Sequence, residues 1–423
     1  MKFDTVIIGG GRKRTSKAEI YGGGLSGLAC GIRLQKKGVK CAVISAGQSA
    51  LHFSSGSFEL LNRLPDGTAV ENPVEAVAKL EASHPYKKIG DFAKYASEAK
   101  QLLADSGVEV EGEATENALH LTPMGTLKPA WLTLSEFSRF KGAEEFKGKK
   151  VRVANIAGFL DFNMKFVTDA LEDMGAECCQ ELIHIEEVDR LRKSPTEMRA
   201  TNIARVLDKE NIHNQLLTIL KNYSIGVDAV VLPAAVGLAS QKLVKALRKA
   251  VPSVVLVPTM PPSVSGIRTQ QQLRREFERL GGVFMLGDSV VRADVEGGKV
   301  KAVYTINHAD NGIKADNYIL TTGSFFSNGL VAHSNEIVEP VFGLDVDFAA
   351  DRAEWCDPQF FNKQGYQTFG VATDANFNVK KEGKVLENLY AAGSVLSGFN
   401  ALYEGCGAGV ALLTALYVAD NLK

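Results

Sequence analysis

Short apolar runs, glycine-rich turns and amphipathic stretches alternate through most of the chain. Residues 3–8 form an apolar run that ends in glycines, and residues 38–45 form a second one. Between them, residues 24–31 place small side chains on one face, which predicts a helix that packs closely on a sheet. The order strand, glycine turn, helix, strand is typical of a dinucleotide-binding unit, in which the helix N-terminus offers free amides to a phosphate.

A basic segment interrupts the glycine turn of this unit. Residues 11–23 separate the first strand from the helix, and the motif can begin either at Gly9 or at Gly22. We favour Gly9, followed by Gly24 and Gly27, because the residues just before Gly22 make a poor replacement strand. The segment then bulges from the turn as a basic loop. The alternative is an in-frame insertion that impairs or abolishes nucleotide binding.

The rest of the pattern predicts an α/β protein with one domain inserted into another. We assign residues 1–71 and 261–423 to a Rossmann-like dinucleotide-binding domain, and residues 72–260 to an inserted second α/β domain. Further helices are predicted at 71–88, 92–107, 166–174, 266–280 and from 405 onward, and further strands at 150–160, 227–232, 254–257, 283–286, 290–295, 300–306, 318–324 and 387–394.

Composition narrows the class of protein. The chain has 423 residues, is 45% hydrophobic and 23% charged, and carries a formal net charge of -1, an ordinary globular balance that indicates no nucleic-acid partner. No apolar run reaches the length of a membrane span. The six cysteines include no C-x-x-C pair, which fits a reducing cytoplasm and predicts no metal or iron–sulfur framework in this chain.

Widely spaced motifs together resemble the large flavoprotein class that binds FAD. They are the N-terminal glycine turn, Thr-Thr-Gly at 321–323 and Tyr-Ala-Ala-Gly at 390–393. The chain departs from this class at two positions. Ser45 ends the second strand, where an acidic residue usually binds the adenosine ribose, and Ser394 follows the C-terminal glycine, where the class usually has Asp. Both departures weaken the adenosine half of the site, so from the residues alone FMN and FAD are both open.

Several further segments carry a closer resemblance: 2–10, G-Q-S-A-L-H-F-S-S-G-S at 47–57, 84–86, 121–127, P-T-M-P-P-S-V-S-G-I-R at 258–268, 307–310 and 323–327. Together they resemble the B subunit of anaerobic glycerol-3-phosphate dehydrogenase. The resemblance implies an FMN flavoprotein that pairs with an FAD-containing subunit and a membrane-bound iron–sulfur subunit. Together such subunits oxidise sn-glycerol 3-phosphate to dihydroxyacetone phosphate and pass electrons towards quinone, with fumarate or nitrate as terminal acceptor. The chain would then be cytoplasmic, held at the inner face of the cell membrane only through its partners.

The candidate cofactor residues fall into three groups: the phosphate turn, the loop near the flavin ring, and the residues from the second half of the chain that complete the cofactor site. In that order they are Gly9, Gly10, Gly24, Leu25, Ser26, Gly27 and Ser45; Ser54, Ser55 and Gly56; and Gly323, Gly393, Ser394, Gly407 and Ala408.

Alcohol oxidation also requires a base and, for a phosphorylated substrate, a cation. His52 and His308 are the candidate bases, because imidazole titrates near neutral pH, and Arg268 is the candidate phosphate clamp. Each of the three has a structural alternative, either a core histidine or a solvated helix arginine. Two other functions also stay open: a different FAD-dependent oxidoreductase of the succinate/fumarate type, and a non-catalytic subunit whose flavin site is disrupted.

Overall fold

The computed structural model describes residues 1–9 and 23–422. The helices of these residues, in chain order, are α1 (Leu25–Lys36), α2 (Pro73–Ala76), α3 (Pro85–Lys88), α4 (Phe92–Asp105), α5 (Met164–Asp173), α6 (Glu186–Asp189), α7 (Ala200–Leu207), α8 (Glu210–Tyr223), α9 (Lys242–Ala250), α10 (Val264–Arg279) and α11 (Gly407–Asp420).

The strands of the described residues are β1 (Lys2–Gly9), β2 (Cys41–Ser45), β3 (Ser57–Phe58), β4 (Val110–Glu111), β5 (Ala118–Leu121), β6 (Leu127–Ala130), β7 (Leu132–Leu134), β8 (Lys150–Ile156), β9 (Glu177–Ile183), β10 (Ala229–Pro233), β11 (Val254–Val257), β12 (Val283–Leu286), β13 (Val290–Glu296), β14 (Lys299–Thr305), β15 (Lys314–Leu320), β16 (Val331–Ala332), β17 (Ile337–Val338), β18 (Val346–Asp347), β19 (Gly370–Val371), β20 (Asn378–Lys381) and β21 (Lys384–Ala391).

The main sheet has the strand order β12-β2-β1-β15-β21-β20. All neighbours pair in parallel except β20 and β21, which pair antiparallel at one edge. Val6, Ile7 and Ile8 of the central strand are fully buried, because helices cover the sheet and a parallel strand is apolar on both faces. The predicted order strand, turn, helix, strand is confirmed as β1, α1 and β2.

Helices α10 and α11 both pack against α1. Arg33 of α1 joins this layer to α4, since its guanidinium contacts Asp420 at 2.7 Å and Glu98 at 2.7 Å. The helix α4 therefore lies against the elements that carry the glycine turn, although its residues were assigned to the inserted domain. The division at residues 71 and 260 stays a prediction.

A second sheet has the order β11-β10-β8-β9 and is parallel throughout. The sequence predicted β8, β10 and β11 but missed β9, whose residues Glu177–Ile183 are mostly exposed along one edge of the sheet. The predicted hairpin of β13 and β14 is confirmed, because Glu296 pairs with Lys299 across the glycine turn.

One predicted helix, at 71–88, is wrong. The segment forms the short helices α2 and α3 with a 3-10 turn at Val77–Lys79 between them. Pro85 starts α3, and a proline lacks the amide that would continue a helix from the preceding residues. Among the described residues, none of the helices has the length and apolar character needed to cross a membrane.

Candidate functional site

The carboxyl ends of the central parallel strands meet at one edge of the main sheet. Gly9 of β1 pairs with Ser45 of β2, and Leu320 of β15 pairs with Ala391 of β21. The helix α1 starts at the same edge, after Gly24. Crevices outside the carboxyl ends of parallel strands are where doubly wound folds bind ligands, so this edge is the candidate cofactor site.

Gly23 and Gly27, on either side of the start of α1, leave little room for a side chain. A Cβ added at Gly23, whose φ is +120°, would lie 2.6 Å from Phe284 Cζ, and one at Gly27 would lie 3.0 Å from Thr321 Oγ1. Among the described residues, no side chain caps the N-terminus of α1, and its first turn carries no acidic residue. Its first amides are therefore available to an anion such as a flavin phosphate. Gly10 and the alternative first glycine, Gly22, lie outside the described residues.

The candidate cofactor residues from the second half of the chain pack against this turn. Gly393 follows β21 with a φ of +82°, and a Cβ there would lie 2.9 Å from Ser26 Oγ. Gly323 follows β15, and a Cβ on it would lie 3.5 Å from Ser394 Oγ. The structure thus brings together Ser26, Gly393, Gly323 and Ser394, as the sequence predicted, and their role in cofactor binding stays a prediction.

Two hydroxyls at this edge fit the binding of a polar group. Ser26 Oγ and Thr322 Oγ1 are buried and have no hydrogen-bond partner among the described residues. A buried hydroxyl without a partner loses free energy, of the order of 1–3 kcal/mol, that a bound ligand restores. Leu25 packs against the core as the first residue of α1 and contributes its backbone amide rather than a polar side chain.

The hydroxyl at the end of β2 already has a partner. Ser45 Oγ donates to the carbonyl of Gly47 at 2.9 Å, so the hydroxyl is already engaged. The ring of Phe284 lies against the glycine turn, and the guanidinium of Arg274 lies 4.6 Å from its centroid. The acidic side chain that usually binds the ribose is absent from position 45.

The loop after β2 is ordered by its own serines. The side chain of Ser49 accepts from the amide of Leu51, which starts a 3-10 helix at Ala50–Phe53. Ser54 Oγ accepts from the amide of Gly56 at 3.1 Å. The loop therefore holds one conformation between the sheet edge and β3, as expected of a segment that positions a ligand.

A chain of hydrogen bonds runs from this loop towards solvent. Ser55 Oγ and Ser57 Oγ lie 2.8 Å apart, and Ser57 Oγ donates to Glu59 Oε1 at 2.9 Å. Lys128 Nζ donates to the same carboxylate oxygen at 2.7 Å. Because Ser57 donates to Glu59, Ser55 donates to Ser57, and the chain can move a proton away from the loop.

Two further buried polar groups lie beside this chain. His120 of β5 pairs in register with Lys128 of β6, and both of its ring nitrogens lack a hydrogen-bond partner among the described residues. Burial lowers the pKa of His120 to about 4, against an opposing effect of the Glu59 carboxylate. Thr133 lies opposite Ser57 in the β3–β7 pair, and its hydroxyl is also buried and unpartnered in the part of the chain that the structure describes.

Sequence reasoning missed Glu59, Lys128 and His120. Glu59 was visible just after the serine loop, within reach of a positioned serine. Lys128 and His120 had no such signal, because they come near the loop only through the folding of the β5–β6 hairpin.

His52 lies beside the glycine turn, as its predicted role requires. Its ring is half-buried, and desolvation lowers its pKa while a hydrogen bond to Gln270 opposes the shift. The side-chain amide of Gln270 in turn donates to the carbonyl of Gly23 at 3.0 Å. A neutral imidazole can accept a proton, so the role of His52 as a base stays a prediction.

His308 is held in a hydrogen-bond network near the end of β12. Its Nδ1 lies 3.0 Å from Asp288 Oδ2 and 2.9 Å from Thr305 Oγ1. The amide of Asp288 donates to the carbonyl of Ser45 at 3.2 Å, which connects this network to the sheet edge. The network accounts for one ring nitrogen of His308, and its role as a base also stays a prediction.

Arg268 is buried and already has two partners. Its side chain is 3% exposed, and its guanidinium donates to the carboxylate of Glu136, whose side chain is 1% exposed, and to the carbonyl of Gly237. A substrate phosphate would have to share this guanidinium with the buried Glu136 carboxylate. The pairing favours the structural alternative, and the role of Arg268 as a phosphate clamp stays a prediction.

The start of α11 is tied to the serine loop and to α3. Gly407 and Ala408 begin α11, and the amide of Gly409 donates to the carbonyl of Glu59 at 2.8 Å. The hydroxyl of Tyr86 donates to the carbonyl of Leu60 at 2.6 Å. The predicted cofactor residues 407 and 408 therefore stand beside the loop that carries Ser54, Ser55 and Gly56.

His84, Glu404 and Cys406 form a buried group of potential metal ligands in front of α11. His84 Nδ1 accepts from the amide of Tyr86 at 3.1 Å, so the ring proton must be on Nε2. His84 Nε2 lies 3.3 Å from Glu404 Oε2, although neither atom has a hydrogen-bond partner among the described residues. A ring nitrogen that carries a proton cannot also bind a metal ion, so this tautomer does not favour a metal site.

Comparison with known proteins agrees with this fold. Residues 20–410 match the family model described as FAD binding domain. The B subunit of anaerobic glycerol-3-phosphate dehydrogenase from Yersinia enterocolitica serotype O:8 / biotype 1B is 42% identical over 429 residues, covering 100% of this chain and 98% of that protein. The protein of the same name from Pectobacterium atrosepticum is 40% identical over 428 residues, covering 100% of this chain and 99% of that protein.

Among solved structures, glycine oxidase from Bacillus cereus ATCC 14579 covers 99% of this chain and 94% of its own, with 12% identity and a TM-score of 0.33. The full-length curated relatives and the domain match decide the family. The chain belongs to the family of anaerobic glycerol-3-phosphate dehydrogenase B subunits, and is a flavin-dependent oxidoreductase subunit with an FAD-binding flavoprotein fold.

Proposed function

We propose that the chain binds FMN at the carboxyl edge of the main sheet and takes part there in oxidising sn-glycerol 3-phosphate to dihydroxyacetone phosphate. The observation that carries the proposal is the meeting of two glycine turns around unpartnered hydroxyls of the described residues, with Gly393 packed against Ser26. A bound flavin supplies a hydride acceptor and a means to release electrons one at a time.

The choice of FMN over FAD rests on the end of β2. The Ser45 hydroxyl is engaged by the carbonyl of Gly47, and Phe284 packs on the turn from the β12 side. FAD binding would require a partner for the adenosine ribose at this position, and Ser45 is a poorer partner than an acidic residue. A cofactor that ends at its first phosphate needs only the amides of α1 and the turn.

Different residues of the protein bind the phosphate and move the proton at this site. The amides at the start of α1 hold the phosphate, and the Ser26 hydroxyl supplies one further hydrogen bond. His52 accepts the proton of the substrate hydroxyl, and the chain from Ser55 to Glu59 carries a proton to the surface. The Lys128 ammonium pairs with the Glu59 carboxylate at the outer end of this hydrogen-bond chain.

Electrons leave through partner subunits. The curated relatives are named as one subunit of the dehydrogenase, so this chain is part of a multi-subunit complex. All six cysteines of the chain are free thiols, in keeping with electron transfer to an FAD-containing subunit and a membrane-bound iron–sulfur subunit, and from there towards quinone. Association with the inner face of the membrane comes only through those partners.

The test is the absorbance spectrum of the purified chain, followed by release and chromatographic identification of any flavin. A variant lacking residues 11–23 is measured beside it, because the basic segment interrupts the turn. FMN in both proteins supports the proposal. FAD instead of FMN contradicts the cofactor assignment and favours an oxidoreductase of the succinate/fumarate type. If neither protein contains flavin while the complex still assembles, the chain is a non-catalytic subunit.

A further inference from the structure

A loop on the second half of the chain presents two aromatic rings to solvent. Phe360 is 83% exposed and Phe361 is 96% exposed, and across a cavity from them Leu402 is 79% exposed. The cavity has a volume of about 740 Å³. Large apolar side chains grouped around a cavity are unusual on a protein that has no partner, since each exposed ring loses burial free energy.

The loop is built to hold these rings outward. The side-chain amide of Gln364, which is 9% exposed, donates to the carbonyls of Gln359 and Asn362, and its oxygen accepts from the amide of Asp357. Asp357 Oδ1 accepts from the amide of Gln359 at 2.7 Å. An internally bonded loop loses little conformational entropy on binding, which is the preorganisation that a recognition surface needs.

The charge around the cavity is predominantly positive. Arg63, Lys128 and Lys363 line it, with Asp357 as the one acidic lining residue among the described ones. Lys128 is paired with Glu59, whereas Arg63 has no ion-pair partner within residues 1–9 and 23–422. An arginine among exposed aromatic rings is the composition typical of the energetically important centre of a protein interface, and it favours an acidic counterpart.

The cavity wall continues into the candidate flavin site. The amides of Asn62 and Arg63 donate to the carbonyl of Glu404 at 2.8 and 3.0 Å, and Gly405 packs on the Asn62 side chain. The residues 404–406 lead directly into α11, whose start belongs to the predicted cofactor site. A protein bound at the cavity would stand next to the part of the chain from which electrons must leave.

We infer that the surface formed by Arg63, Phe360, Phe361 and Leu402 is where another subunit of the same complex docks, inserting an apolar segment flanked by acidic residues into the cavity. The concave shape favours a protein segment over a bilayer, because lipid headgroups at a flat surface cannot fill a cavity of about 740 Å³. The inference rests on the chain being one subunit of a complex and is independent of which flavin it binds.

The experiment uses the complex co-expressed with an affinity tag on this chain. Phe360→Ser and Phe361→Ser are introduced together, and the amounts of the other subunits that co-purify are measured by quantitative gel densitometry. Because both rings are largely exposed, the variant should keep the wild-type melting temperature and flavin content. We expect at least a tenfold loss of partner retention, the usual effect of removing central aromatic anchors.

The matched control carries Leu160→Ser and Ile225→Ser, two apolar side chains that are 87% and 72% exposed elsewhere on the molecule. It should retain the partners as the wild type does. An Arg63→Glu variant should reduce retention at low salt, and added salt should partly restore it, because the attraction to acidic groups becomes a repulsion that salt screens.

Wild-type retention in the Phe360/Phe361 double variant overturns the inference, and so does an equal loss in the control. Co-sedimentation of the isolated chain with vesicles that contain anionic lipid is measured in parallel. If the double variant loses vesicle binding but keeps its partner subunits, the surface contacts lipid and the inference is wrong. If the wild-type chain lacks flavin but the double variant still loses the partner subunits, the docking inference is supported and only the proposed cofactor is contradicted.

Discussion

The pairing of Arg268 with Glu136 allows a test of whether this arginine is structural or binds substrate. Both side chains are almost completely buried, and the guanidinium also donates to the carbonyl of Gly237. Replacing Arg268 with Met keeps most of its volume but leaves the Glu136 carboxylate buried without an opposite charge. The variant therefore measures the cost of an uncompensated charge rather than the cost of a cavity.

The expected magnitude follows from that unpaired charge. Removing one partner of a buried ion pair typically costs about 3–5 kcal/mol of the free energy of unfolding, a large share of the roughly 5–15 kcal/mol that a domain has. Replacing both partners, as Arg268→Met with Glu136→Leu, should recover at least about 2 kcal/mol of that loss. The unmet carbonyl of Gly237 limits the recovery, because a buried acceptor without a donor costs about 1–3 kcal/mol.

Urea unfolding followed by tryptophan fluorescence measures these values, since Trp131 and Trp355 are both buried and report loss of packing. Arg274→Met is the control on the same helix: its guanidinium pairs with Glu278 in a partly exposed bridge, so a loss of no more than about 1 kcal/mol is expected. If Arg268→Met unfolds within about 1 kcal/mol of the wild type while the KM for glycerol 3-phosphate rises at least tenfold in the complex, the structural assignment is refuted.

Further predictions concern the candidate site itself. The pKa of His120 is about 4 in the folded chain and near 6.5 in the unfolded chain, so the unfolded chain binds more protons in the pH range between these two pKa values. The free energy of unfolding should accordingly rise by about 3 kcal/mol from about pH 4 to 6.5, and a His120→Asn variant measured by urea titration should lose this slope; an unchanged slope contradicts the assignment. Gly393→Ala should cost about 1–3 kcal/mol and lower the flavin-to-protein ratio, because its Cβ displaces Ser26, whereas Gly383→Ala, with a φ of +74° and no neighbour within 4 Å, should cost stability without lowering that ratio. Equal flavin loss in both variants would mean that backbone strain alone is responsible. Glu59→Gln should change stability by less than about 1 kcal/mol yet slow flavin reduction by substrate in stopped-flow measurements on the complex, since an amide cannot take up the proton; a wild-type rate rules out the relay.

Apolar periodicity was sufficient to predict the sheet edge and the residues that meet there. The runs that became β1, β2, β15 and β21 end in glycine or serine, and parallel strands bring such ends together without further information. β9 escaped prediction for the opposite reason. An edge strand that keeps one side in water, such as Glu177–Ile183, lacks the continuous apolar run that marks a buried strand.

The burial of Arg268 and its pairing with Glu136 could not be predicted from the neighbouring sequence. It lies on a helix with many arginines, and nothing local distinguishes it from Arg274 or Arg279, which are more exposed. Its partner Glu136 lies 132 positions earlier in the chain, so only the tertiary fold shows that the two are buried together. Charge pairs at long sequence separation, unlike helical i,i+4 pairs, leave no periodic signal.

The segment from Glu59 to Arg63 connects the candidate cofactor site with the proposed docking surface. At one end the carbonyl of Glu59 accepts from the amide of Gly409 in α11, and its carboxylate ends the serine chain. At the other end the amide of Arg63 donates to the carbonyl of Glu404, while the side chain lines the cavity beside Phe361. Any movement of this short segment changes the start of α11 and the cavity wall together, because both are bonded to its backbone. In a subunit of a complex, such a connection would let a partner docked at the proposed surface and a cofactor at the candidate site stabilise the same few residues.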